Sequence, residues 1–219
     1  MTAVFGNQGK QGYYEDMRKT DDVMKQKKPS DQNTLSESLA GHLLVATPQM
    51  TDPRFRRAVI FMCQHDTEAA MGLIINQPNT DLSFQTLTEH LNLDQPCLDR
   101  DEPVFTGGPV EPQRGYILHT DDQMLPETIP IANGICLSLH VDMISEITRG
   151  LGPSFSKVML GYAGWSAGQL EDEMRENMWV HLPATTDILF RTDTEALWDK
   201  SFARIGLNAA TLSSTSGTA

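Results

Sequence analysis

The chain contains no long apolar run. No stretch approaches the roughly 18 consecutive apolar residues that a membrane-spanning helix requires. The N-terminus lacks the apolar segment of a secretory signal, so the sequence predicts a protein that is not exported. Cysteine is scarce: three residues with no C-x-x-C pair fit neither a disulfide framework nor a zinc ribbon, and the expected compartment is a reducing cytoplasm. Positive charge is also short, at 17 Lys and Arg against 29 Asp and Glu, a net charge of -12. Clustered cations are what hold a protein on phosphates, so direct nucleic-acid binding is not expected. What is left is an ordinary globular composition, 39% hydrophobic and 21% charged over 219 residues, the length of one domain with an appendage.

Residues 1–34 differ from the rest. They are polar, with six basic and five acidic side chains and few apolar ones, so they bury too little to offset the entropy of ordering. We expect a disordered tail there, a domain over 35–210 and a loose end at 211–219, rich in Thr and Ser. Inside the domain, strand and helix signals mix without strict alternation, which predicts a single α+β (mixed α/β) domain. His42–Ala46 reads as a short strand stopped by Thr47-Pro48. Ala58–Cys63 is six apolar residues in a row, as in a strand buried on both faces. Gly72–Ile75 follows after a short polar linker, so the two pair as a hairpin. Further strands are expected at Val104-Phe105, Tyr116–Leu118, Ile135–Leu137 and Val158–Tyr162. Helical spacing marks 83–92, 141–149, 167–177 and about 195–205, with Gly150 and Pro153 ending the second. There is no internal repeat.

One stretch has the look of catalysis. Gly164-Trp165-Ser166-Ala167-Gly168 matches G-x-S-x-G, between an apolar strand and a helix, as in the nucleophile elbow of α/β-hydrolases. Its partners are wrong. That chemistry needs an acid and then a histidine downstream. Only His181 follows, the acids before it all lie within 171–176, and Asp187 and Asp193 come after it. Ser166 and Gln169 instead have the S-x-x-Q spacing of a capping box. The reading is a Ser166 N-cap, with Ala167, Leu170 and Met174 as the apolar stripe and Glu171, Asp172, Glu173, Arg175 and Glu176 outward. No residue is assigned a catalytic role.

Other constellations are weaker. Cys63 with His65, and Cys136 with His140, lack a recognised zinc-site spacing, so no metal or cofactor is expected. His119 ends a strand and reads as a base, a ligand or a hydrogen-bonded histidine. Arg54, Arg56 and Arg57 form a local basic cluster that either grips an anion or pairs with the surplus acids. Gly107-Gly108-Pro109 is a turn without the G-K-[ST] of a phosphate-binding loop.

Taken together, several stretches resemble the YqgE/AlgH family of bacterial proteins. They are His42–Pro48, Asp52–Val59, Gly72–Pro78, Gly107–Val110, Gly115–His119, Gly161–Trp165, Gly168–Glu171 and Trp179, and the resemblance spans about residues 36–210. It implies a small closed β-barrel, a bifurcated sheet and surrounding helices. It implies no settled activity, only the label of a transcriptional regulator of alginate synthesis, and the position of Ser166 is not fixed as Ser in the pattern. The expected role is therefore a non-enzymatic regulatory or interaction protein with protein partners. A serine hydrolase at Ser166 and a small-ligand binder are the alternatives. For a ligand or partner, the candidate surface is Arg56, Arg57, Asn76, Gly107, Gly108, His119, Trp165 and Gln169.

Overall fold

Val59, Phe61 and Cys63 pack into one apolar cluster while Ile60 and Met62 pack into another, and all five are buried. The six-residue apolar run thus forms a strand covered on both faces, β2 (Val59–His65). The computed structural model describes residues 38–93 and 103–206, and the expected tail 1–34 and loose end 211–219 lie outside them. The remaining strands are β1 (His42–Ala46), β3 (Ala69–Ile74), β4 (Pro78–Ser83), β5 (Pro103–Thr106), β6 (Val110–Thr120), β7 (Ile129–Ala132), β8 (Ile135–Ser138), β9 (Ser156–Ser166) and β10 (Trp179–Pro183). The helices are α1 (Phe84–His90), α2 (Val141–Thr148), α3 (Gln169–Arg175) and α4 (Leu197–Arg204), with a 3-10 turn at Pro53–Phe55 and a π-helical turn at Asp187–Arg191. None of these helices is long and apolar enough to cross a membrane.

The strands hydrogen-bond in the order β10-β1-β2-β3-β9-β6-β8-β7, all antiparallel, and β2 and β3 form the expected hairpin. The sheet branches at β9. Its C-terminal half, 163–166, pairs with β3, while 158–160 pair in parallel with β5, which in turn pairs with β4. The branch depends on glycine. Gly161 has φ 74, and it adds one residue to the in-out alternation, so that Met159 and Tyr162 serve the same cluster and Ala163 and Trp165 turn to the opposite one. A Cβ on Gly161 would lie 2.4 Å from the Gly108 carbonyl oxygen, and one on Gly107 would lie 2.3 Å from the Gly161 carbonyl oxygen. Two backbones cross there with no room for a side chain.

The result is a single mixed domain built on a curled, open half-barrel. The closed barrel that the resemblance implies is not formed. Its would-be seam strands, β10 and β7, do not pair with each other. They approach through the Asn133 side-chain amide, which donates to the Ala184 carbonyl at 3.3 Å, and through Gly41 against Ala132. Each edge carries a proline, Pro183 or Pro130, which has no N–H for a ladder. The inner face is filled by Ile188 and Leu189 of the π turn and by Leu197, Trp198 and Phe202 of α4. On the outer face of β1, β2 and β3 lie Leu170 and Met174 of α3, with Phe55 of the 3-10 turn. A third cluster joins α1 and α2 to Val104, Ile117, Val158 and Leu160.

Candidate functional site

The corner between β9 and β10 holds a connected polar network. Trp165 leaves β9 and Trp179 opens β10. Both indoles are buried, and the rings meet edge to face at 6.0 Å. Each buried indole N–H needs an acceptor. Glu173 supplies it from α3: its Oε2 accepts from Trp165 Nε1 at 2.9 Å and from Trp179 Nε1 at 2.7 Å, while its Oε1 accepts from the Gln169 amide at 2.9 Å. Phe55 packs edge-on to Trp179 at 5.8 Å and fixes the 3-10 turn against the same corner.

Ser166 is part of this frame, though not as the helix cap. The N-cap of α3 is Gly168, at φ 74, with no side-chain cap bond. The helix starts later than expected because Ser166 is still in β9, paired with Ala69. Half of the capping box survives: Gln169 Oε1 accepts from the Ser166 backbone N–H at 3.2 Å and from its hydroxyl at 3.1 Å. An amide oxygen is not a base that could take the serine proton. His181 is on β10, its ring against His42 at 5.6 Å, and no hydrogen bond links it to Ser166 among the described residues. Burial and the His42 charge hold the His181 pKa below the ordinary imidazole value.

A second carboxylate of α3 is also engaged. The Leu39 amide donates to His65 Nδ1 at 3.0 Å, which leaves the ring proton on Nε2, and that N–H donates to Glu171 Oε1 at 2.9 Å. His65 thereby ties the entry to β1 onto α3. Sequence reading missed this pair, and it missed Glu173, which it placed outward. The available signal was the i, i+4 spacing of Gln169 and Glu173.

The structure gathers the eight candidate residues only partly. Arg57 and Asn76 belong together. Arg57 has φ 55, and Asn76 braces that turn by donating to the Arg57 carbonyl at 2.9 Å and accepting from the Val59 amide at 2.8 Å. The Arg57 guanidinium lies 4.0 Å from the Trp198 ring and pairs with Asp199 at 2.7 Å. Arg54 pairs with Asp52, whereas Arg56 is exposed with no ion pair among the described residues. Trp165 and Gln169 meet through Glu173. Gly107 and Gly108 form the backbone crossing with β9. His119 is fully buried elsewhere. Its Nδ1–H donates to the Thr120 carbonyl at 2.8 Å, and its Nε2 faces the Ser138 hydroxyl at 2.8 Å. Ser138 therefore donates to His119 and accepts from Thr128 at 3.0 Å. Burial pushes the His119 pKa down. Among the described residues, no three His, Cys, Asp or Glu side chains converge on a metal position.

Comparison with known proteins agrees with this architecture. The AlgH-like family model matches residues 43–210. A UPF0301 protein of Methylobacterium nodulans is 43% identical over 187 residues, covering 82% of this chain and 89% of the relative. A UPF0301 protein of Thioalkalivibrio sulfidiphilus is 38% identical, covering 84% and 98%. The solution structure of the AlgH protein from Pseudomonas aeruginosa superposes with a TM-score of 0.68 at 34% identity, covering 86% of this chain and 100% of that one. The crystal structure of the protein DIP2367 from Corynebacterium diphtheriae shares the fold, with a TM-score of 0.63 at 21% identity over 80% of this chain and 90% of that one. With the matched segment running from β1 through the α4 end of the domain, the chain belongs to the AlgH-like, UPF0301 family.

Proposed function

We propose that this protein works in the cytoplasm as a non-enzymatic regulatory protein that acts by binding other proteins. The observation that carries this reading is the engagement of the reactive groups at the β9–β10 corner. The Ser166 hydroxyl donates to an amide oxygen, and the Glu173 carboxylate is taken up by two indoles and the Gln169 amide. These contacts hold α3 rigidly on the sheet. At the exposed face of α3 and its C-cap, two acids, Asp172 and Glu176, outnumber the one base, Arg175, which pairs with Asp172. A preorganised, negatively charged helix face suits a partner with a complementary basic patch. It does not suit duplex DNA, whose phosphates would be repelled.

Capture of the tagged full chain from cells is expected to return a defined partner, and the exposed-face change D172K/E176K is expected to release it. A fluorophosphonate probe is expected to leave Ser166 unlabelled. Labelling that disappears in Ser166→Ala would overturn the reading in favour of a serine hydrolase. Tight, salt-sensitive binding of the pure protein to duplex DNA would overturn it in another direction.

A further inference from the structure

Most histidines of the chain have settled partners. His65 and His119 have both ring nitrogens in hydrogen bonds, and His140 accepts from the Asp142 amide at the start of α2 at 3.3 Å. His90 stands exposed at the end of α1. His42 and His181 differ from all of these. Among the described residues neither ring makes a hydrogen bond or an ion pair, yet the two lie edge to face with centroids 5.6 Å apart. The Nδ1 atom of His42 is buried without a hydrogen-bond partner.

The antiparallel ladder sets this pair. His42 is opposite Pro183 and His181 is opposite Leu44, so the two histidines are diagonal neighbours on adjacent strands. Leu44, Ala46 and Trp179 pack in the outer cluster, and the two-residue alternation of a strand puts His42 and His181 on that same face. His42 is half-buried on β1, while His181 is exposed on β10, the edge strand. An unpartnered buried imidazole nitrogen costs stability unless another group fills it. Besides a hydrogen-bond donor, the partner that a neutral imidazole nitrogen takes is a metal ion.

We propose that His42 and His181 form a binding site for one divalent late transition-metal ion, Cu²⁺, Ni²⁺ or Zn²⁺, held by one nitrogen from each ring. Two imidazoles that share an ion at ~2.1 Å have ring centres about 5 Å apart, so the observed 5.6 Å needs only a small rotation of the exposed His181 ring. Imidazole suits these ions, whereas Mg²⁺ and Ca²⁺ take oxygen ligands. No third His, Cys, Asp or Glu side chain of the described residues converges there, so water fills the remaining positions and the ion stays exchangeable. The bound ion ties the edge strand β10 to β1. The site uses no residue of α3 and goes beyond the protein-binding role.

The test is calorimetric titration of the untagged full-length protein with Ni²⁺ at neutral pH, with Cu²⁺ and Mg²⁺ alongside. Ni²⁺ is expected to bind saturably at one ion per chain, Cu²⁺ more tightly and Mg²⁺ not at all, the order of affinity for imidazole. His181→Ala, a change at an exposed side chain, is expected to weaken Ni²⁺ by about tenfold or more, because losing even a group that only orients a ligand costs that much. His42→Ala is expected to do the same, and His90→Ala to leave the affinity unchanged. Paramagnetic broadening of histidine ring signals by Cu²⁺ is expected to fall on His42 and His181, which locates the ion without any substitution. No saturable binding, an affinity unmoved by His181→Ala, an equal loss in His90→Ala, or broadening centred on another histidine overturns the proposal.

Discussion

Trp165 and Trp179 donate their indole N–H groups to the same oxygen, Oε2 of Glu173, at 2.9 and 2.7 Å. One carboxylate thus joins β9, β10 and α3, three elements that share no hydrogen-bonded ladder with one another. Because both donors are buried, removing their acceptor leaves two unsatisfied N–H groups rather than two solvated ones.

Glu173→Ala is therefore expected to destabilise the fold by about 2–3 kcal/mol, the range for losing charge-assisted bonds to buried donors. Glu173→Gln keeps one carbonyl acceptor and is expected to cost less. Guanidinium unfolding followed by tryptophan fluorescence measures both, since the reporting indoles are the ones released. Equal and negligible losses would show that water replaces the carboxylate.

The glycine crossing gives a sharper contrast. Gly161→Ala places a methyl group 2.4 Å from a backbone oxygen at φ 74, so it meets both a steric clash and a left-handed backbone. A loss of about 3 kcal/mol or more is expected, seen as a collapse in soluble yield or thermal midpoint. Gly150 has nearly the same φ, 73, but nothing within 4 Å of the added carbon. Gly150→Ala is expected to cost only about 1 kcal/mol, the backbone part alone.

Local pattern made parts of this architecture readable and concealed others. The Ala58–Cys63 run announced β2 because a strand buried on both faces needs no alternation, and the periodicity of Val141, Ile144 and Ile147 announced α2. Strand β4 escaped, since Pro-Asn-Thr-Asp-Leu-Ser has little strand propensity and is held by pairing with β5. Strand β10 escaped because it is short and ends in proline. The closed barrel failed at a seam that local sequence does not describe, where α4 and the π turn fill the inner face. At the corner, a helical wheel puts Glu173 outward because it cannot see Trp179 arriving from the next strand.

Asp122 is expected to protect the fold against acid. Its carboxylate accepts from the Ser154 hydroxyl at 2.5 Å, the Thr120 hydroxyl at 2.5 Å and the Ser154 amide at 2.9 Å. Those bonds, the Ser154 hydroxyl first, lower its pKa to about 2. The unfolded chain titrates near ~3.9, so it takes up the proton first as pH falls. The stabilisation is complete above that value and is lost on descending toward 2. Asp122→Asn is expected to lower stability at neutral pH and to flatten the dependence on pH between 4 and 2. Parallel acid unfolding curves for the two proteins would contradict this.

His119 governs a different pH window. Its Nδ1–H is fixed on the Thr120 carbonyl and its Nε2 accepts from Ser138, a pattern that needs the neutral ring. Protonation would put a second N–H against a hydroxyl whose own proton must then turn away toward Thr128, inside a fully buried pocket. Burial accordingly holds the folded pKa below the ~6.5 of an exposed imidazole, despite the Thr120 carbonyl and the nearby Asp122 charge, which act the other way. The unfolded chain therefore binds more protons just below pH 6.5, and stability falls as pH drops from there until the folded value is reached. His119→Gln, which retains an amide donor and an acceptor but does not titrate, is expected to be less stable at pH 8 and to lose less on acidification to pH 5.5. His181 shifts in the same direction and stays in both proteins, so the difference between their thermal midpoints, measured across that range, isolates the buried ring. A constant difference would place its titration outside the window and refute the assignment of its hydrogen bonds.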